Sequence, residues 1–282
     1  MTAQTPAASK LEWKAYGVYL LTTLAVMLPL LKPGFILTLD MIFTPELRMP
    51  TDITGSYPLH VLLYILNAIL PADLITKLLL VAGLLLASTG MHRLIRMLQT
   101  KQPADDYGIY IASVFFAINP FTYSRAMAGQ YSVLLGYALL PWFVRLLIVC
   151  KRQPSAGSAV KIGGLTAVIG AVSIHTLGEL IIILIAAAGV AFWQYRQHLQ
   201  AYLRYGAIAM LACLVLSSYW LIPLVTGHGK TAATIQSFTA ADTQAFATTG
   251  GSAIGKLGNV LRLQGFWAEG HHLYILPQAG VV

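Results

Sequence analysis

Residues 162–193 read IGGLTAVIGAVSIHTLGELIIILIAAAGVAFW, an apolar stretch whose one charge is Glu179. About 20 mostly apolar residues suffice to cross a bilayer core roughly 30 Å thick, so the stretch can be one long span or two short ones. Its flanks decide. Lys151, Arg152 and Lys161 precede it and Arg196 and Arg204 follow it. A single span would put these two basic groups on opposite faces of the membrane. A hairpin turning near His175-Thr176-Leu177-Gly178 puts both on the same face, and Lys and Arg in short loops favour the cytoplasm. The hairpin is therefore preferred.

The whole chain has this character. Of its 282 residues 57% are hydrophobic, and only 18 are basic and 10 acidic. A water-soluble domain carries about a quarter of its residues charged, so lipid is the expected solvent; disordered and collagenous chains are excluded as well. Cys150 and Cys213 lie far apart in or beside apolar runs and build neither a disulfide framework nor a metal motif. The net charge of +8 bears on membrane orientation, not on nucleic acid.

Spans are predicted near 15–31, 73–91, 107–119, 131–149, 161–175, 177–194 and 203–223, an all-α, polytopic transmembrane bundle of about seven crossings. The run from Tyr16 to Leu31 follows a polar arm (1–14) and ends in Lys32-Pro33-Gly34 without a small-x-small cleavage site, which predicts a retained anchor. With the arm inside, Lys10, Lys14, Arg93, Arg96, Lys101, Arg145, Lys151, Arg152, Lys161, Arg196 and Arg204 all fall on the cytoplasmic side, as the bias of short loops requires. Asp40, Glu46, Asp52, Asp73, Asp242 and Glu269 fall on the other side. The transmembrane domain thus covers 15–223, with an outer loop at 32–72 and a short one at 120–130. Residues 224–282 form a polar extracytoplasmic segment with Gly250-Gly251 and His271-His272. Ending there without a closing helix is what a fragment of a longer protein would do. Trp13, Trp193, Tyr195, Tyr219 and Trp220 are placed as interfacial aromatics, and Trp142, inside a span, as packing.

The chemistry-bearing residues gather on the outer side. Asp40, in the run Thr38-Leu39-Asp40-Met41, would be held close to the membrane surface, where a partly desolvated carboxylate can act as a general base; it can also simply cap a helix. The segment Tyr57 to Asn67, before Pro71, is too short to span and suits a helix lying in the interface and flooring a cavity; as an eighth span it would reverse everything after it. In the second outer loop, Asn119-Pro120 stops one helix or starts another. Arg125 then stands alone among small and aromatic residues, able to grip a phosphate bidentately or to snorkel to lipid headgroups. Tyr123 and Gln130 in the same loop join it as substrate-binding candidates. His175 and Glu179, four apart, share a helix face. They satisfy each other or belong to a site, and no third ligand at useful spacing makes a zinc site of them.

This outer-face pattern resembles the GT-C superfamily of polyprenyl-phosphate-sugar-dependent membrane glycosyltransferases. The strings Thr38-Leu39-Asp40-Met41, Asn119-Pro120-Phe121 through Gly129-Gln130, Leu135-Gly136-Tyr137-Ala138-Leu139-Leu140-Pro141-Trp142 and Gly265-Phe266-Trp267 are similar to bacterial membrane proteins of the arabinofuranosyltransferase-like type. The resemblance runs over about residues 15–270. It implies a multi-pass plasma-membrane enzyme of the cell envelope, with Asp40 as the base and Arg125 and His175 near the lipid phosphate. The expected partners are a polyprenyl-phosphate-linked sugar, a glycan or lipid acceptor, and membrane lipids, with no nucleic acid. No cofactor is expected; a divalent metal stays open, although the first loop has no Asp-x-Asp or Glu-x-Asp to hold one. Two other classes fit the hydropathy, a multispanning transporter and a non-catalytic envelope-assembly subunit. A transporter usually places ionisable residues near the midplane on paired repeats; here they lie at the outer face and no repeat is visible.

Overall fold

The computed structural model describes residues 10–99, 107–194, 199–248 and 255–267. Lys101, Tyr195, Arg196, Gly250, Gly251, Glu269, His271 and His272 lie outside the described residues. Among the described residues every regular element is a helix: α1 (Lys10–Met27) with a 3-10 turn at Leu28–Leu30, α2 (Tyr57–Asn67), α3 (Ala72–Leu98), α4 (Tyr107–Ala117), α5 (Pro120–Met127), α6 (Tyr131–Arg152), α7 (Ala156–Val172), α8 (Ile174–Gln194), α9 (Leu199–Val225), α10 (Gly229–Ser237), α11 (Ala240–Ala245) and α12 (Gly255–Leu261).

Five helices, α1, α3, α6, α8 and α9, are long and apolar enough to cross a membrane. Their outward side chains fit that solvent. Ile182 of α8 is 69% exposed and Leu211 of α9 63%, and neighbours such as Ile181, Ile185 and Leu214 are exposed too. Apolar surface this continuous would be costly in water. The two shortest expected spans are the two short helices: α7 has 17 residues and α4 has 11. At 1.5 Å per residue α4 rises only about 16 Å.

α3 is the central helix, packed along α6 and against α4 and α1. α7 packs along α9 and touches α6 and α8. The α7–α9 contact depends on Gly163: a Cβ there would overlap the carbonyl oxygen of Ala209 and lie 2.8 Å from Ala212 Cβ. Between α7 and α8 the break falls at Ser173, slightly before the expected turn at 175–178. Ser173 is extended (φ −152°, ψ 115°), and its hydroxyl accepts from Thr176 N at 3.3 Å. Capping by serine thus starts α8, and His175, Leu177 and Gly178 continue inside it. α2, with 11 residues, is the short helix expected in the first outer loop.

Two of the aromatic residues expected at the interface instead hold that loop. Trp220 is buried with its ring against Gly55, and the Tyr219 hydroxyl donates to the Gly55 carbonyl at 2.5 Å. Trp142 packs as expected: its Nε1 donates to Leu86 O at 3.0 Å, and a Cβ on Gly90 would collide with its indole. Neighbouring glycines on α7 separate packing from helix propensity. Gly163→Ala should lower the melting temperature of the purified protein through an overpacking cost of about 1–3 kcal/mol. Gly164→Ala, whose nearest neighbour would be Leu216 Cδ1 at 3.9 Å, should leave it unchanged or higher.

Candidate functional site

Asn119 builds the loop between α4 and α6. Its side-chain oxygen accepts from Phe121 N and Thr122 N (2.9 and 3.1 Å), and Thr122 Oγ1 accepts from Asn119 N (3.0 Å). That is a reciprocal cap on α5, with Pro120 in the first turn where a missing N–H costs nothing. The Asn119 Nδ2 amide donates backwards to Phe115 O and Phe116 O (3.1 and 2.9 Å). One residue therefore ends α4 and begins α5.

α5 closes on Gly129. Gln130 N donates to Arg125 O (2.9 Å) and Gly129 N to Ala126 O (3.0 Å), the paired bonds of a Schellman end, with Gly129 at φ +76°. This brings the Gln130 side chain back beside the one at 125. Gly129 is also where the segment around Asp40 lands: a Cβ there would overlap Thr38 Oγ1 and lie 2.6 Å from both Met41 N and Met41 Cβ.

The loop is pinned on either side of Asp40. Met41 and Phe43 are buried in a cluster with Met27, Leu59, Leu63, Ile75, Leu80 and Leu134, so α1, α2, α3 and α6 all anchor it. Asp40 N donates to Ala128 O at 2.8 Å. Its carboxylate stays exposed and meets the second loop: Gln130 Nε2 donates to Asp40 Oδ2 at 2.8 Å, while Gln130 Oε1 accepts from Arg125 Nη1 at 2.8 Å. The amide reads a negative partner with one end and a positive partner with the other, which fixes its orientation.

Arg125 is further ordered by stacking. Its guanidinium carbon lies 5.1 Å from the centre of the Phe121 ring and 4.1 Å from that of Phe266, within cation–π range. Phe266 is buried against Ala128, with Trp267 beside it. The Gly265-Phe266-Trp267 string thus reaches the site from the far side of the chain. Glu179, on the second turn of α8, is near enough to Arg125 and to Tyr137 for their charges to interact. His175, one turn earlier, is exposed. Neither it nor Glu179 figures in the hydrogen bonds and ion pairs among the described residues, with each other or with Asp40, Arg125 and Gln130.

Beside this chain lies a cavity of about 470 Å³. The apolar side chains of Val26, Ile36, Leu80, Leu84, Leu134 and Met127 line it, and Thr38, Thr122, Tyr123, Tyr137 and Lys32 add the polar groups. Its position follows from α4. Ala117 packs with Ala87 and Ala138 part-way along α3 and α6, and beyond that point no helix continues between them. Two of its walls are the segment 32–38, which runs on to Asp40, and α5, which carries Arg125.

Comparison with models of protein families, with curated proteins and with solved structures found no match. Of the residues singled out in the sequence, the structure joins Asp40, Gln130 and Arg125 directly, sets Glu179 within reach of Arg125, places Tyr123 on the cavity wall, and leaves His175 apart. Phe266 and Gly129 went unremarked as site residues. Gly129 had a readable signal, a glycine between a short polar helix and a long apolar one; Phe266 had none beyond its place in an aromatic pair.

Gly129 gives a direct test of this docking. Gly129→Ala, strained at positive φ and colliding with the loop backbone, should cost upwards of about 1–2 kcal/mol and lower the melting temperature by several degrees. Gly34→Ala, also at positive φ (108°) but with open space around its Cβ, should show the smaller cost of φ alone.

Proposed function

We propose that this chain is a glycosyltransferase of the plasma membrane that moves a sugar from a polyprenyl-phosphate donor to an acceptor hydroxyl at the outer face. The observation that carries the reading is the joining of a carboxylate and a guanidinium, far apart in sequence, through one amide (Asp40, Gln130, Arg125), on two segments whose neighbouring residues Thr38, Tyr123 and Ala126 line an apolar cavity.

A lipid-linked sugar is an amphiphile whose tail needs an apolar groove, whose phosphate needs a cation, and whose reaction needs a base. The cavity suits the first isoprene units of the tail. Arg125, its planar fork held by two aromatic rings and Gln130, suits the phosphate. Glu179 would balance that charge before the donor arrives. The exposed Asp40 then accepts the proton of the incoming hydroxyl as its oxygen attacks the anomeric carbon; the carbon–oxygen bond to phosphate breaks, and the lipid phosphate leaves with the electron pair, inverting the configuration. Gln130 is the positioning residue, holding one Asp40 oxygen and leaving the other to the acceptor.

The topology that goes with this reading has the N-terminus in the cytoplasm and seven crossings, with α4 and α7 as the short ones and α2 in the outer interface. Cysteines introduced at 34 and at 204 should then react with an impermeant maleimide from opposite sides of the membrane; labelling from the same side removes the outer site.

Asp40→Asn is the decisive variant. Asparagine keeps an oxygen for Gln130 Nε2, so the fold and melting temperature should hold, while loss of a general base should reduce product by about 10²- to 10⁴-fold. The readout is the set of lipid-linked glycans in cells complemented with each variant. Undiminished products would eliminate Asp40 as the base, and solute uptake by proteoliposomes carrying the wild-type protein would point to transport.

A further inference from the structure

At the opposite end of the bundle, where α3 and α6 finish, a second group of side chains has no place in the reaction above. Arg93, on α3, is exposed yet ordered. Its guanidinium carbon lies 5.1 Å from the centre of the Trp142 ring and 5.9 Å from that of Tyr16, and its Nε donates to the Tyr16 hydroxyl at 3.1 Å. The platform under it is rigid. The Trp142 indole is bonded to the α3 backbone at Leu86 and pressed onto Gly90, and Tyr16 lies beside the buried His92, itself bonded to the Tyr19 hydroxyl at 2.8 Å.

These contacts set the Arg93 guanidinium over the Trp142 ring and take its Nε edge. Its Nη1 and Nη2 groups have no protein partner among the described residues, and no carboxylate there pairs with Arg93 or with Arg96 one turn on. More positive charge converges on the same end. Lys151 and Arg152 close α6, and Arg152 Nη2 reaches the Met97 carbonyl at 3.5 Å, which sets the two helix ends side by side.

We infer that this end of the bundle binds the phosphate of an anionic phospholipid headgroup, with Arg93 as the principal ligand and Arg96 and Arg152 completing the charge. A guanidinium stacked on a tryptophan keeps its fork in one plane, the geometry that takes two phosphate oxygens at once. Basic pockets between helix ends at the membrane surface suit such lipids, and the surrounding aromatics, Tyr16, Tyr107 and Tyr110, belong to the headgroup level. Two apolar helices meet in lipid here, so the phosphate that reaches Arg93 is one carried by a lipid. The inference is independent of sugar transfer.

The test is lipid retention by the purified protein, read by native mass spectrometry after adding equal amounts of phosphatidylglycerol and phosphatidylcholine. The wild type should hold phosphatidylglycerol in preference. Arg93→Gln should weaken that retention roughly fivefold, as expected for one surface cation, and Arg204→Gln, a charge-matched change on α9, should not. Arg96→Gln removes no stacking contact and keeps the question answerable if the first variant does not fold; it too must fall below Arg204→Gln. Equal retention of the two lipids, or parity among the variants, overturns the assignment. So does displacement of the lipid by millimolar inorganic phosphate, which would mark the site as one for free anion.

Discussion

Asn119 serves two helices at once, and the end of the molecule that holds Asp40 and Arg125 is arranged around that fact. By taking two carbonyls of α4 with its amide and giving its oxygen to two amides of α5, it ends an apolar helix of 11 residues where the hydropathy would allow a longer one. Each bond satisfies a backbone group that burial would otherwise leave unpaired at a cost of about 1–3 kcal/mol. With α4 stopped part-way along α3 and α6, the space above it becomes a hollow, and α5 turns to wall it. Arg125, Gly129 and Gln130 follow within a few residues, so the helix that lines the cavity with Thr122, Tyr123 and Ala126 also carries a cation.

The second constraint is the landing of the segment around Asp40 on Gly129. The stretch between the Leu28–Leu30 turn and α2 has no regular structure and would ordinarily wander, and the entropy of ordering it must be offset. Met41 and Phe43 supply that offset by burial, one residue and three residues past Asp40, and the absence of a side chain at 129 allows the backbones to touch. Asp40 and Leu39 stay exposed in a bend closed by the bond from Thr38 N to Met41 O, while Met41 and Phe43 just beyond it are buried.

Much of this was legible in the residues. Apolar length located the long helices, Asn119-Pro120 marked a boundary, and the shortness of 57–67 separated α2 from the spans. The association of 40 with 125 was expected from side counting and resemblance. What the sequence did not disclose were matters of contact. Gln130 is one polar residue in a loop, and nothing in its type says that it bridges opposite charges; that depends on a Schellman end turning it back on Arg125. Charge sidedness predicts a hairpin without fixing its turn to the residue, and a serine able to cap sets the start of α8 a little before 175–178. The spacing of His175 and Glu179 is real, yet no hydrogen bond or ion pair joins the two among the described residues.

Phe266 covers one face of Arg125 although the two are separated by three of the long helices. The ring replaces water on that face, so the strength of the field that the guanidinium casts toward an approaching anion is tuned by a segment that contributes no charge. A chain cut after α9 would retain its long helices and its carboxylate, yet its arginine, still beside Phe121 and Gln130, would meet water on the face that Phe266 covers. The polar tail is in this sense a piece of the dielectric of a site built elsewhere.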